Sequence, residues 1–134
     1  MRIVDVEPQL IERARRLAAE AGLADRISFE LVDPGPLPFA AESFDVVFSK
    51  DALLHIPEKQ ALYRDVLRVL KPGGVFAASD WLSGEGAGDD ETLRRYIGLV
   101  GLDVAMATAA ETAAAMRAAG FEGVTTVDRN AWYA

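Results

Sequence analysis

The chain has 134 residues, a formal net charge of −7 and a pI near 4.7, and 51% of it is hydrophobic. That is long enough for one domain with a core, too apolar for a disordered segment, and too acidic for the clustered Lys and Arg of a broad nucleic-acid footprint. It contains no cysteine, which excludes disulfides, thiolate metal sites and a cysteine nucleophile and fits a reducing, cytoplasmic setting.

Arg2 to Val6 reads as a strand, and the acidic Asp5 within it leaves no room for the apolar region of a signal peptide. Glu7-Pro8 opens a helix, with Pro8 at the first helical position, where its missing N–H has no partner to lose. Leu10, Ala14, Leu17, Ala18 and Ala21 form an apolar stripe on it, and Gly22 caps it. Its basic run, Arg13, Arg15 and Arg16, alternates with Glu12 and Glu20 and reads as a solvated face. Ile27 to Val32 alternates and is rich in branched or aromatic residues, hence a second strand. Asp33-Pro34-Gly35-Pro36-Leu37-Pro38 is a loop, because three prolines suit neither helix nor central strand.

Ser43 to Gly74 organises the rest. Phe44 to Ser49 has the apolar density of a buried strand. The chain then turns through Lys50 and Asp51 to His55, the only histidine, and Pro57 starts a helix in which Ala61, Leu62, Val66, Val69 and Leu70 keep helical spacing. Lys71-Pro72-Gly73-Gly74 stops that helix, and a strand runs from Val75 to Trp81. Leu82 to Gly88 is a glycine-rich loop, read as a lid. Asp89 or Asp90 caps a helix carrying Leu93, Tyr96, Ile97 and Val100, which Gly101 ends. Thr108 and Glu111 stand in the reciprocal positions of a capping box, with the helix behind them running to Gly120. Val124 to Val127 is a last strand, and Asn130 to Tyr133 the first turn of a further helix. There is no internal repeat, domain linker or apolar run of membrane-spanning length, so residues 1–134 form a single domain. Strands alternating with helices imply an α/β fold, a mostly parallel sheet with helices on both faces.

In such folds ligands bind at the carboxyl ends of the strands. Asp5 there suits the two hydroxyls of a ribose, or is an exposed carboxylate. Asp33 suits an adenine amino group, or forms a turn before Pro34. His55 is a general base or a structural histidine. Asp51, four residues earlier, faces the same way if the turn is helical. Trp81 and Tyr96 box a cationic amine or pack in the core. One histidine cannot build an imidazole-rich metal site, and no G-x-G-x-x-G, Walker A, H-E-x-x-H or G-x-S-x-G occurs.

Taken in order, Asp5-Val6-Glu7-Pro8, the Asp33 turn with Leu37-Pro38-Phe39, Ser43-Phe44-Asp45-Val46-Val47, Leu54-His55-Ile56, Leu70-Lys71-Pro72-Gly73-Gly74 and Ala119-Gly120-Phe121 resemble the class I S-adenosylmethionine-dependent methyltransferases. The likeness runs from Ile3 to about Tyr133 and implies a Rossmann-like sheet. Ser49 to Ile56, Ser79-Asp80-Trp81, Tyr96 and Val127-Asp128-Arg129 are similar to the phosphoethanolamine N-methyltransferase branch, a narrower match.

The resemblance implies S-adenosyl-L-methionine as cofactor and a small-molecule methyl acceptor, with no nucleic-acid or membrane partner. Asp5 would hold the ribose hydroxyls, Asp33 the adenine with Pro34 beside it, and Ser49 and Lys50 the methionine end. Asp51 and His55 would face the acceptor, an amine or another nitrogen or oxygen centre, with Trp81 and Tyr96 around it. Trp81 stands where that branch often has Tyr. The family's first strand and its glycine-rich turn have no counterpart before Asp5, so the chain reads as an internal portion of a methyltransferase. Arg2–Val6 and Phe44–Ser49, which flank that strand in the family sheet, are then expected to pair directly, and the chain alone to transfer little or no methyl. The alternatives are a non-catalytic module that binds no cofactor and associates with another chain, or with itself, through open sheet edges, and, less well supported by the Leu70–Gly74 turn, a dinucleotide-dependent oxidoreductase.

Overall fold

Arg2–Asp5 (β1) and Ser28–Leu31 (β2) run parallel, paired in register from Arg2 with Ser28 to Asp5 with Leu31. The helix between them, Pro8–Glu20 (α1), begins as the proline predicts. It buries Ile11 and Ala18, whereas Leu10 and Leu17 are half exposed. The face that packs is therefore turned by one position from the expected stripe. Gly22 ends the helix in the left-handed region, at a φ of 69°, where a side chain would be strained. This computed structural model describes residues 1–84, 86, 90–101 and 104–132. Met1–Pro38 forms one unit and Phe39–Ala134 another.

In the second unit Phe44–Lys50 (β3) and Leu70–Ser79 (β4) are parallel, joined by Lys59–Val69 (α2). Pro57 lies before α2 rather than in its first turn. Leu70 continues directly from the helix into β4 and pairs with Phe44. Val46 then pairs with Val75, so Lys71–Gly74 bulges out of the ladder before pairing resumes up to Lys50 with Ser79. Gly74 is required there: a Cβ on it would lie 2.9 Å from the Lys71 carbonyl oxygen and 3.1 Å from that of Asp45.

Glu91–Val100 (α3) is capped by Asp90, which accepts from the Thr92 and Leu93 N–H groups at 2.8 and 3.1 Å. Ala109–Ala119 (α4) carries the expected capping box, Thr108 N–H to Glu111 Oε2 at 2.8 Å and Glu111 N–H to Thr108 Oγ1 at 3.1 Å. α2 packs on β4 and on α4. The core between them holds Tyr63, Val66, Val69, Leu70 and Ala113, with the Phe76 ring tilted against those of Tyr63 and Phe121. Tyr63, which the helical spacing passed over in favour of Leu62, is 1% exposed.

Two expectations are corrected. The parallel strands form two separate two-stranded sheets, β1 with β2 and β3 with β4, so the direct pairing of Arg2–Val6 with Phe44–Ser49 is not made. Direct pairing is demanded only where the open strand edges are buried away from water. β3 is not buried on both faces: Val46 and Phe48 are 61% and 63% exposed, and water can satisfy an open edge. In the second unit the same face includes Val75, 56% exposed. Finally, residues 124–129 carry no regular structure, so the strand Val124–Val127 does not form; its branched residues have β propensity but pair with no strand among the described residues. Asn130–Trp132 makes a 3-10 turn, and Tyr133 lies outside the described residues, as do Glu85, Ala87, Gly88 and Asp89 of the expected lid and cap.

Candidate functional site

In the first unit the strands end at two carboxylates. Asp5 closes β1 and turns back on the chain, its Oδ1 accepting the Glu7 N–H at 2.8 Å. Its Oδ2 accepts no hydrogen bond among the described residues. Asp33 and Pro34 follow β2 and are exposed.

In the second unit β3 delivers Ser49, half-buried, and Lys50, exposed, to the strand end. The Lys50 ammonium lies 2.5 Å from Asp51 Oδ2. Both side chains are well exposed, so water screens the pair and it adds little to stability. Asp51 adopts a left-handed backbone, at a φ of 49°, with its N–H bonded to the Ser79 carbonyl at 2.9 Å. It is therefore outside the helical turn that would have aligned it with His55. A positive φ in a residue other than glycine is strained, and such strain gathers at functional sites. The 3-10 turn Leu53–His55 follows, with Leu53 buried and His55 exposed.

The turn is held from several sides. Asp80, just past the end of β4, accepts the Leu53 N–H at 2.6 Å and the Leu54 N–H at 3.3 Å through Oδ2. Its Oδ1 accepts the Trp81 N–H at 2.8 Å. Lys59 Nζ donates to the Leu53 carbonyl, and the Ala105 N–H to the Leu54 carbonyl at 2.7 Å. Burial lowers the Lys59 pKa, and the negative charge of Asp80 opposes that shift. Burial, and then Asp80, push the Tyr63 pKa up, while a hydrogen bond with Thr112 pulls it down.

Of the aromatic residues expected near an acceptor, Trp81 and Tyr96 are 56% and 61% exposed, so neither ring is enclosed in a core. The sequence reading missed Asp80 as a structural centre. Its partner Leu53 is 27 positions away, and no local periodicity marks such a contact. The hollows of the two units lie elsewhere. One of about 250 Å³ is lined by Arg15, Ala24, Ile27 and Phe29. The other, about 420 Å³, is beside Gly73 and Gly74 at the opposite end of β4 from Asp80. The second is lined by Glu42, Arg68 and Lys71 as well, none of them a residue expected at the site. Among the described residues no group of three or more His, Asp or Glu is placed to hold a metal ion, and no helix is long and apolar enough to cross a membrane.

A parallel β-α-β unit with acidic and basic groups at its carboxyl end agrees with the result of a family comparison, in which a methyltransferase domain family matches residues 3–125. The chain belongs to that family. A sterol 24-C-methyltransferase of Aspergillus fumigatus is 37% identical over 117 residues, 84% of this chain and 31% of that protein. Methyltransferase GfsG of Streptomyces halstedii is 38% identical over 76 residues, 57% of this chain and 27% of that protein. Among solved structures, the [4+2]-cyclase SpnF superposes with a TM-score of 0.74 at 29% identity, over 90% of this chain and 43% of that one. Phosphoethanolamine N-methyltransferase 2 of Haemonchus contortus, solved with S-adenosyl-L-methionine, gives a TM-score of 0.79 over 91% of this chain and 27% of that one; at 24% identity it shows the fold alone.

This methyltransferase domain is thus Rossmann-like and class I, and it spans about a third of the length of the sterol 24-C-methyltransferases it matches. The scaffold is shared by proteins named for different reactions, so the reaction has to be argued from the site. S-adenosyl-L-methionine is the cofactor that goes with the family. The open Oδ2 of Asp5, at a parallel-strand end, fits the ribose hydroxyls of that molecule.

Proposed function

We propose that the protein transfers a methyl group from S-adenosyl-L-methionine to a small molecule held at the carboxyl end of β3 and β4. The observation that carries this reading is the tethered turn: Asp51, its N–H held by the Ser79 carbonyl, and His55 are exposed on either side of Leu53 and Leu54, whose backbone groups are tied to Asp80, Lys59 and Ala105. Asp5 takes the ribose hydroxyls and Asp33 the adenine, with Pro34 beside it; Ser49 and Lys50 border the methionine end. When bound, the cofactor supplies a methyl group made electrophilic by its positively charged sulfur. His55 removes the acceptor's proton at a ring nitrogen, or orients the acceptor, and Asp51 faces the positive charge of an amine. Trp81 and Tyr96 offer ring faces to the same cation. The acceptor atom on this reading is a nitrogen or oxygen, an amine foremost.

The sterol 24-C-methyltransferases among the relatives favour a second reading, methylation at carbon. Adding a methyl cation to an alkene leaves a positive charge on the acceptor until a proton departs, so a carboxylate and a base serve that reaction too. The test is calorimetric titration with S-adenosylhomocysteine, followed by incubation with methyl-labelled cofactor and either phosphoethanolamine or a sterol with a side-chain double bond at carbon 24. Label in phosphoethanolamine supports the first reading, and label in the sterol the second. The labelling is done with a complete methyltransferase that carries this domain, where cofactor binding with label in neither removes both acceptors. No binding at all favours a methyltransferase-like scaffold that does not use the cofactor.

A further inference from the structure

The carboxylate of Asp80 spans two segments that the proposed function uses. One oxygen accepts the N–H groups of Leu53 and Leu54, at 2.6 and 3.3 Å, which begin the turn carrying His55. The other accepts the Trp81 N–H at 2.8 Å. An acceptor shared between consecutive N–H groups at the open end of a helical turn satisfies donors that have no partner within the turn. Here the acceptor comes from another strand, so the bond fixes the turn relative to β4, where an ordinary cap would fix it only to itself.

The carbonyl side of the same turn is held independently, Leu53 by the Lys59 ammonium and Leu54 by the Ala105 N–H. Leu53 is buried beneath and His55 is exposed above. Every backbone polar group of residues 53 and 54 therefore has a named partner, three of the four in other segments of the chain and the fourth, the Leu53 carbonyl, in Lys59 beyond the turn. A short exposed turn with no such ties would sample many conformations at small cost.

We infer that Asp80 is a positioning residue: through the backbone of Leu53, Leu54 and Trp81 it sets His55 and the Trp81 ring at the acceptor site, without itself touching the acceptor. This deepens the proposed function and rests on it for the meaning of the acceptor site, but the tether is measurable without any acceptor. Asp80→Ala removes both oxygens. Asp80→Asn keeps the shape but leaves one accepting oxygen, so it can serve either the turn or Trp81, and not both.

The experiment is amide hydrogen exchange and side-chain NMR on the 134-residue chain. In Asp80→Ala the Leu53 and Leu54 amides should exchange about tenfold faster or more, while those of Val66 and Val69 stay within about twofold. The His55 ring and Trp81 indole resonances should move toward their values in a flexible chain. In Asp80→Asn one side of the tether should keep its protection and the other lose it. Should Asp80→Ala fail to fold, the Asp80→Asn variant carries the test alone. Leu53, Leu54 and Trp81 amides unchanged in a folded variant, with the His55 and Trp81 side-chain signals unmoved, would overturn the inference. A separate arm addresses the reading beneath it: if His55→Ala in a complete methyltransferase carrying this domain transfers methyl at the parental rate while the Asp80 variants lose protection, Asp80 positions the turn but the turn is not the acceptor site.

Discussion

Lys71 Nζ donates to both carboxylate oxygens of Asp45, at 2.9 and 3.0 Å, across the bulge where β4 leaves and rejoins β3. The pair looks like a clasp for the bulge, but its members are 46% and 80% exposed, and screened pairs are worth about 0–1 kcal/mol. The tighter constraint is steric. A methyl group at Gly74 would meet two backbone carbonyl oxygens and the Leu70 side chain at 2.9 to 3.1 Å. Lys71→Met should therefore change unfolding free energy by less than about 1 kcal/mol, whereas Gly74→Ala should cost about 1–3 kcal/mol through forced backbone shifts. Urea denaturation of the two variants checks the order.

Tyr63 is the largest fully buried side chain among the described residues, and the hydroxyl of Thr112, itself 8% exposed, holds its pKa down against burial. Tyr63→Phe keeps the ring packing and strands a buried hydroxyl, at a cost of about 1–2 kcal/mol. Because the folded pKa of Tyr63 lies above its ordinary value of 10.0, its contribution is whole below pH 10.0 and is lost as pH rises through the folded value. Thermal melts of parent and Tyr63→Phe should therefore converge at strongly alkaline pH. A gap that persists there would argue against the buried phenol.

Glu111 behaves in the opposite sense. The Thr108 N–H, and then the Thr108 hydroxyl, hold its carboxyl below the ordinary value of 4.5. A carboxylate with a depressed folded pKa stabilises above its unfolded value and loses that contribution as pH falls through the folded one. Glu111→Gln retains the capping geometry without the titration. The parent's melting temperature should fall more steeply than that of Glu111→Gln over roughly pH 5 to 3. Parallel slopes would show that the capping box does not sense pH.

Asp51 adopts a left-handed backbone that glycine accepts freely. Asp51→Gly should leave stability within about 1 kcal/mol of the parent, because relief of strain offsets the greater freedom of the unfolded chain. Methyl transfer should nevertheless fall, since the carboxylate at the strand end is gone. Loss of stability well beyond that margin would show that Asp51 serves the fold rather than the acceptor.

Asp5 and His55 are expected to separate binding from turnover. In a complete version that binds the cofactor, Asp5→Ala should weaken that binding by about 1–3 kcal/mol, the value of hydrogen bonds to a charged acceptor. In a complete methyltransferase carrying this domain, His55→Ala should leave binding nearly unchanged and reduce turnover about 10²-fold or more. Calorimetry with S-adenosylhomocysteine and single-turnover rates measure the two effects. Parental affinity in a folded Asp5→Ala, or parental turnover in His55→Ala, would remove the corresponding role.

What is local was legible in the sequence. Pro8, Thr108 with Glu111, and Asp90 mark helix starts because a cap acts within one turn, and Gly22, Gly101 and Gly120 mark ends because a left-handed residue is needed there. The parallel β-α-β units follow from alternating periodicity, and the strand-end positions of Asp5, Ser49 and Lys50 follow from the strands. Contacts between distant segments had to be seen in the fold. Periodicity names a helix face only to within a residue or so, so Tyr63 replaced Leu62 and Ile11 replaced Leu10 in the cores. Strand propensity does not choose a partner, so β1 and β3 went to separate sheets and 124–127 to none. Asp80 is an unremarkable strand-end residue in the linear chain. Only the fold brings its carboxylate to backbone groups 26 and 27 positions away, because a hydrogen bond depends on distance and direction in space and leaves no period in the sequence.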